Sequence, residues 1–277
     1  MPLTDALPDM QRELAFYPVD NPAPKSLTPA QIDQFNAQGY IAPLNVFTPG
    51  EILANRRYFD SLMEQADAAG HNSYSINGWH RHCRGICELL FDRRILDYVE
   101  DLLGPDLVNV MTHYFSKEPG DGKQVSWHQD ASYWPLTPSK TVTVWLAIDD
   151  ADAGNAAMQF VPGSHLHGQI PFERSEAAEN NVLGQSVHDP GQWGLEPVSI
   201  DLRAGQVSIH TDLLLHGSGV NTSDRRRCGL TLRYMPPDVR GREPGGAPAF
   251  ICRGSDPSGY WRPLSLPADD RLPARKT

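Results

Sequence analysis

Apolar positions in the first hundred residues recur with a helical period. Thr28-Pro29-Ala30-Gln31 sets Thr at an N-cap, Pro at the first helical position and Gln at the third, predicting a helix to about Ala37, stopped by Gly39. Thr48-Pro49-Gly50-Glu51 repeats the pattern. Ile52, Phe59, Leu62, Met63 and Ala66 follow at helical spacing up to Gly70. A third helix is expected over Asp92 to Leu103, with Ile95, Tyr98, Val99 and Leu102 on one face and Gly104-Pro105 beyond.

From about Leu107 the period falls to two. Residues 140–149 alternate, with Val142, Val144, Leu146 and Ile148 on one face and Thr141, Thr143, Trp145 and Ala147 on the other. Shorter strands are expected at Val108–Phe115, Ala157–Val161, Val198–Leu202, Val207–Ile209 and Gly229–Met235, while Pro171 to Gln192 reads as a long polar loop. Many short strands between Gly and Pro turns indicate a sandwich or barrel. The expectation is one domain, residues 1–277. It has helical elements over 28–105, a β core over 107–235 and a Pro-rich tail without periodicity over 236–277.

Composition then narrows the class. Lys and Arg total 24 against 34 Asp and Glu, a net charge of -10, which removes most of the case for a nucleic-acid partner. No apolar run is long enough to span a membrane, so no membrane partner is expected. Met1 to Pro22 carries Asp5, Asp9, Glu13 and Asp20 without an apolar leader, and four cysteines make no disulfide scaffold. A cytoplasmic setting and a small-molecule substrate are expected; composition is silent on oligomeric state.

One constellation carries chemistry. In Val125-Ser-Trp-His128-Gln129-Asp130, His128 and Asp130 are two apart on a strand-like segment and share a face. Far downstream, Leu213-Leu-Leu-His216 ends another apolar segment in a third candidate ligand. Two imidazoles and one carboxylate form the facial triad of non-haem Fe(II) oxygenases. A His-x-Asp pair alone is a weak signal in a chain with 10 histidines. The segment His216-Gly-Ser218-Gly-Val-Asn-Thr-Ser-Asp-Arg-Arg-Arg227 strengthens it. A chelating cosubstrate such as 2-oxoglutarate needs a cation for its remote carboxylate, best an Arg fork beside a hydroxyl.

His128-x-Asp130, then Asn155 to Pro162-Gly-Ser-His165, then His216-Gly-Ser-Gly-x-Asn and Arg227 together resemble the phytanoyl-CoA dioxygenase (PhyH) family over roughly Gln31 to Tyr234. The resemblance implies a mainly β fold with flanking helices and a double-stranded β-helix (jelly-roll, cupin-like) core. It implies Fe(II) held by His128, Asp130 and His216, with 2-oxoglutarate and O2 as cosubstrates. Arg227 matches the 2-oxoglutarate arginine, and Ser218, Trp145 and Thr143 are expected in that pocket. Arg225 and Arg226 read as solvated charges. Related halogenases lack the carboxylate; because Asp130 is present, hydroxylation is the expected reaction.

Strand phase extends this. With Arg227 inward, alternation turns Gly229, Thr231 and Arg233 inward and Leu230, Leu232 and Tyr234 outward. A second buried arginine needs an anion, either a substrate carboxylate or phosphonate or an internal carboxylate. Trp134 matches an aromatic substrate contact of the similar ectoine hydroxylases, with Tyr133 and Gln129 beside it. Trp79 lies in a loop, Asn77 to Cys83, expected to lid the cleft; a zinc set of His80, His82, Cys83 and Cys87 fits no standard spacing. His165 is expected to orient its own loop, and His71, His113, His188 and His210 carry no assigned role. The expected substrate is a small metabolite with an anionic group, amino acid or aminophosphonate-like, ahead of a natural-product intermediate or an acyl-CoA. A non-redox jelly-roll metal protein, whether isomerase, hydrolase or binding module, is the competing class; it has no use for Arg227 at that spacing.

Overall fold

In a computed structural model, all residues are described except 1–2, 73, 75, 177–179 and 274–277. Among the described residues there are four α-helices: α1 (Pro29–Gln38), α2 (Pro49–Ala68), α3 (Arg84–Leu90) and α4 (Arg93–Leu103). Thr28 and Thr48 close reciprocal capping boxes with Gln31 and Glu51, and Asp92 caps α4, so the expected helix starts are the observed ones.

The strands are β1 (Tyr40–Asn45), β2 (Leu107–Lys117), β3 (Val125–His128), β4 (Val142–Ala147), β5 (Gln159–Phe160), β6 (Glu173–Arg174) and β7 (Gln185–Ser186). After them come β8 (Val198–Ser199), β9 (Gln206–Thr211), β10 (His216–Ser218), β11 (Arg227–Met235), β12 (Ala247–Arg253) and β13 (Trp261–Pro263). A seven-stranded sheet runs β1-β9-β4-β11-β2-β12-β13 and a four-stranded one β3-β10-β5-β8. The two form the jelly-roll core, with Phe160 of the small sheet against His210 of the large one, ring centroids 4.9 Å apart.

Alternation divides the large sheet into two faces. Its outer face, with Val142, Val144, Leu146, Leu230, Leu232 and Tyr234, packs against Ile52, Phe59 and Leu62 of α2 and Ile95 and Val99 of α4 in one core. Tyr234 also donates its hydroxyl to the Leu90 carbonyl, 2.8 Å. The inner face turns toward the small sheet and builds the site.

Three sequence expectations change. The Pro-rich tail is not irregular: β12 pairs with β2 and β13 runs parallel to β12, because Ala249, Phe250 and Cys252 bury a short apolar run. Of the Asn77–Cys83 stretch, only Asn77 reaches the cleft it was expected to lid. The rest is a 3-10 turn at Trp79–Arg81 leading into α3, with Trp79, His80 and Cys83 buried. No zinc set forms there: the Cys87 thiol donates to the His80 carbonyl, the His80 ring pairs with Thr112, and His82 is exposed. The long loop 171–192 keeps a small ladder, β6 with β7.

Candidate metal centre and cavity

Strand register brings the triad together. His128 at the end of β3 is the direct cross-strand partner of His216 at the start of β10, and Asp130 opens the 3-10 turn after β3. Each imidazole donates Nδ1–H to the carbonyl two residues before it, His128 to Ser126 (2.8 Å) and His216 to Leu214 (2.9 Å). A carbonyl can only accept, so Nδ1 must carry the proton and each Nε2 keeps a free lone pair. The Nε2 of His128 is 3.8 Å from Oδ1 of Asp130. One ligand atom from each of the three buried residues falls within 4.8 Å of the others. Among the described residues this is the only cluster of His, Cys, Asp or Glu of that kind.

The second Asp130 oxygen is held from behind. Thr143 donates its hydroxyl to Oδ2 at 3.0 Å, with Arg233 Nε at 3.9 Å and His210 Nε2 at 4.0 Å. Burial alone would raise the Asp130 carboxyl, but the Arg233 charge and the two histidines hold it well below the usual range. Burial, reinforced by His128, pushes His216 far down toward the neutral form. Two imidazoles that turn Nε2 away from their Nδ1–H bonds and an ionised carboxylate, converging on one point, are the donor set a divalent transition metal takes.

Beyond the triad, the inner face of the large sheet lines up in rungs. Met111, Arg233, Thr143 and His210 are consecutive cross-strand partners on β2, β11, β4 and β9. His113, Thr231, Trp145 and Ser208 form the next rung, Phe115, Gly229 and Ala147 the third, and Lys117 with Arg227 the last. Arg227 donates to the Ser218 hydroxyl at 3.3 Å and lies 5.7 Å from the centroid of Trp145. Burial holds it down to about 10. Lys117 is buried, donates to the carbonyls of Ser218 and Gly219, and is pushed down to about 7 by burial and by Arg227.

A cavity of about 430 Å³ is lined by the triad, by Thr143, Trp145, Ser218 and Arg227, and by Tyr133, Trp134 and Arg233. Arg233 stacks on Trp134 at 5.0 Å. Arg12, from the N-terminal segment, pins the turn that carries this ring by donating to the carbonyls of Ala131 and Trp134. A larger groove of about 810 Å³ lies between that segment and α4, away from the triad.

Two expected contacts lie elsewhere. Gln129 is turned away from the cavity: its amide donates to the carbonyls of Gly168 and Leu213 and accepts from Ile170 N–H and Gln169. Lying between two residues that face the cavity, it belongs on the opposite side. Trp79 is packed in the helical core against His71. Arg226 is not a solvated charge but pairs with buried Asp149 and with Asp60. His165 accepts the expected orienting role in another form, its ring pairing with the Asn36 carbonyl at the end of α1. Sequence reasoning missed Tyr74, Met111, His113, Phe115, Met158 and His210 in the wall, whereas Asn77, expected over the cleft, does line it.

The chain matches the family model described as phytanoyl-CoA dioxygenase (PhyH) over residues 27–229. It belongs to that family. It is 24% identical over 259 residues to a phytanoyl-CoA dioxygenase of Arabidopsis thaliana, covering 77% of this chain and 90% of that protein. It is 29% identical over 161 residues to a probable alpha-ketoglutarate-dependent hypophosphite dioxygenase of Stutzerimonas stutzeri, 58% of this chain but only 56% of that protein. Its fold is similar to the apo form of the non-heme monooxygenase ThoJ, with a TM-score of 0.70 at 28% identity over 86% of this chain and 88% of that one. This PhyH-family member is therefore an enzyme, a dioxygenase of the iron and 2-oxoglutarate-dependent kind. No helix among the described residues is long and apolar enough to cross a membrane.

Proposed function

We propose that this enzyme hydroxylates an unactivated C–H bond of a small metabolite bearing an anionic group, amino acid or aminophosphonate-like in size, with release of succinate and CO2. The observation that carries the proposal is the pairing, in one cavity, of three metal-facing donors with a buried arginine that has a hydroxyl at its side. His128, Asp130 and His216 would hold Fe(II), which together with 2-oxoglutarate and O2 supplies the oxidising chemistry. One oxygen atom goes to the substrate and the other to succinate, so atoms balance without a further reductant.

The chain's own groups do the positioning. The Nδ1–H donations of His128 and His216 fix the ring planes, and Thr143 fixes the carboxylate. Arg227 with Ser218 suits the remote carboxylate of 2-oxoglutarate, and Trp145 flattens against that site. Arg233 over Trp134, with Tyr133 near, suits the anionic end of the substrate. A volume of about 430 Å³ lies at the small end of ligand pockets, which counts against an acyl-CoA held wholly inside. Four buried cysteines, all unpaired, fit a reducing compartment such as the cytoplasm. A succinate-release screen tests the reading: His128→Ala or Asp130→Ala abolishes substrate-dependent succinate, and full turnover in either variant overturns it.

A further inference from the structure

The charges around the cavity bear on which anion it takes, a question that rests on the oxygenase reading above. Among the described residues lining it, Asp130 is the sole acid, and its oxygens face the metal position and Thr143. His113 is half-buried and His210 buried, neither can supply a negative charge, and neither ring nitrogen of His210 has a hydrogen-bond partner. Against that one carboxylate stand two buried guanidiniums. Arg227 makes a single side-chain hydrogen bond, to Ser218. Arg233 makes none with any described residue: its Nε is unpartnered, and its nearest counter-charge, Oδ2 of Asp130, lies at 3.9 Å.

A bound divalent metal adds two positive charges to the two arginines. Asp130 and the dianion of 2-oxoglutarate offset three of the four, so one positive charge is left over beside Trp134. A cationic substrate group finds no free carboxylate among the described lining residues, and the face of Trp134 that suits a cation is taken by Arg233. Met111, Phe115, Met158, Val182 and Leu183 give an apolar stretch of the remaining wall, beside the uncharged polar groups of Tyr74, Asn77 and Thr231.

We infer that the substrate is a compact oxyanion without an amino group, its carboxylate or phosphonate forked by Arg233 and its hydrocarbon body laid along the apolar wall. Amino acids and aminophosphonates are disfavoured because, among the described residues, the one acid lining the cavity their ammonium would enter is committed to the metal.

The test uses the full chain loaded anaerobically with Fe(II) and 2-oxoglutarate, following the visible absorbance of that complex. Four probes are titrated: hexanoate, norleucine, pentylphosphonate and 1-aminopentylphosphonate, with hexanamide as the neutral control. Each amine-free anion is expected to perturb the band at a concentration about tenfold or more below its amino partner and the amide. Comparison of hexanoate with pentylphosphonate tells which oxyanion is meant. In Arg233→Gln the gap between anion and amide should close, while the 2-oxoglutarate band itself reports that the variant is folded and loaded. Equal or tighter binding of the amino compounds, an anion preference that survives Arg233→Gln, or no response to either anion overturns the inference. Absence of the 2-oxoglutarate band in the unmodified protein overturns instead the oxygenase reading beneath it.

Discussion

Gly229 shapes the cosubstrate side of the cavity by lacking a side chain, and its replacement by alanine gives a graded prediction. A Cβ built there would lie 2.7 Å from Cη2 of Trp145 and closer still to Cζ2 and Cε2, inside van der Waals contact. The backbone cannot retreat, because Gly229 is paired on one side with Phe115 and on the other with Ala147. The indole must move, and it is the ring beneath Arg227 at 5.7 Å. Overpacking of this kind costs about 1–3 kcal/mol. For a chain of this size each kcal/mol lowers Tm by roughly 2–4 °C. Losing the ring under the guanidinium weakens 2-oxoglutarate by on the order of tenfold, from a cation–π contribution of about 1–2 kcal/mol. The triad is untouched, so the effect falls on the KM for 2-oxoglutarate rather than on metal affinity. Melting curves and succinate assays at varied 2-oxoglutarate check this. An unchanged KM together with an unchanged Tm refutes the steric reasoning.

Three further outcomes follow from the same contacts. Thr143→Val removes the hydroxyl that holds Oδ2 of Asp130 and should weaken metal binding by about 10–100-fold in an anaerobic titration, with little change in melting. Gln129→Leu strands the buried Leu213 carbonyl and Ile170 N–H and the half-buried Gly168 carbonyl, so a loss of about 1–3 kcal/mol for each buried group should appear in urea unfolding while substrate KM holds. Acid should destabilise the fold. Burial holds His80 down to about 3 and His113 and His165 to about 4, so the unfolded chain takes up protons below pH 6.5 that the fold refuses. By pH 5 this costs on the order of 2 kcal/mol per histidine. Asp212 works the other way: burial and then Asp130 outweigh its hydrogen bonds and raise it to about 7, so the fold holds a proton the unfolded chain releases, returning about 2–3 kcal/mol over the same range. Urea unfolding between pH 7 and 5 should therefore show a net loss of stability, steeper in Asp212→Asn; a flat profile contradicts it.

Much of the site was legible because β strands report facing by parity. The phase of β11, set from Arg227, correctly turned Arg233 inward and Leu230, Leu232 and Tyr234 outward. The same parity on β2 turns Met111, His113, Phe115 and Lys117 inward, yet neither face of that strand is solvent-exposed enough to mark which side is which. His210 on β9 was hidden for the same reason, since that strand is buried on both faces beyond its first residue. Gln129 shows the limit of nearness in sequence: adjacent to two cavity-facing residues, it belongs to the other side. The tail strand β12 was masked by prolines, although Pro248 sits near its start and the apolar run follows. Trp79 could be located only by tertiary packing, through its contact with His71 and the helical core.

The central claim is that one cavity holds both a metal on His128, Asp130 and His216 and 2-oxoglutarate on Arg227. Adding 2-oxoglutarate to the Fe(II)-loaded protein without oxygen tests it most directly. The expected result is a visible charge-transfer absorbance that saturates with 2-oxoglutarate, is absent in His216→Ala, and in Arg227→Ala needs at least about tenfold more 2-oxoglutarate. No absorbance in the unmodified protein, or an Arg227→Ala titration that overlays it, would contradict the account.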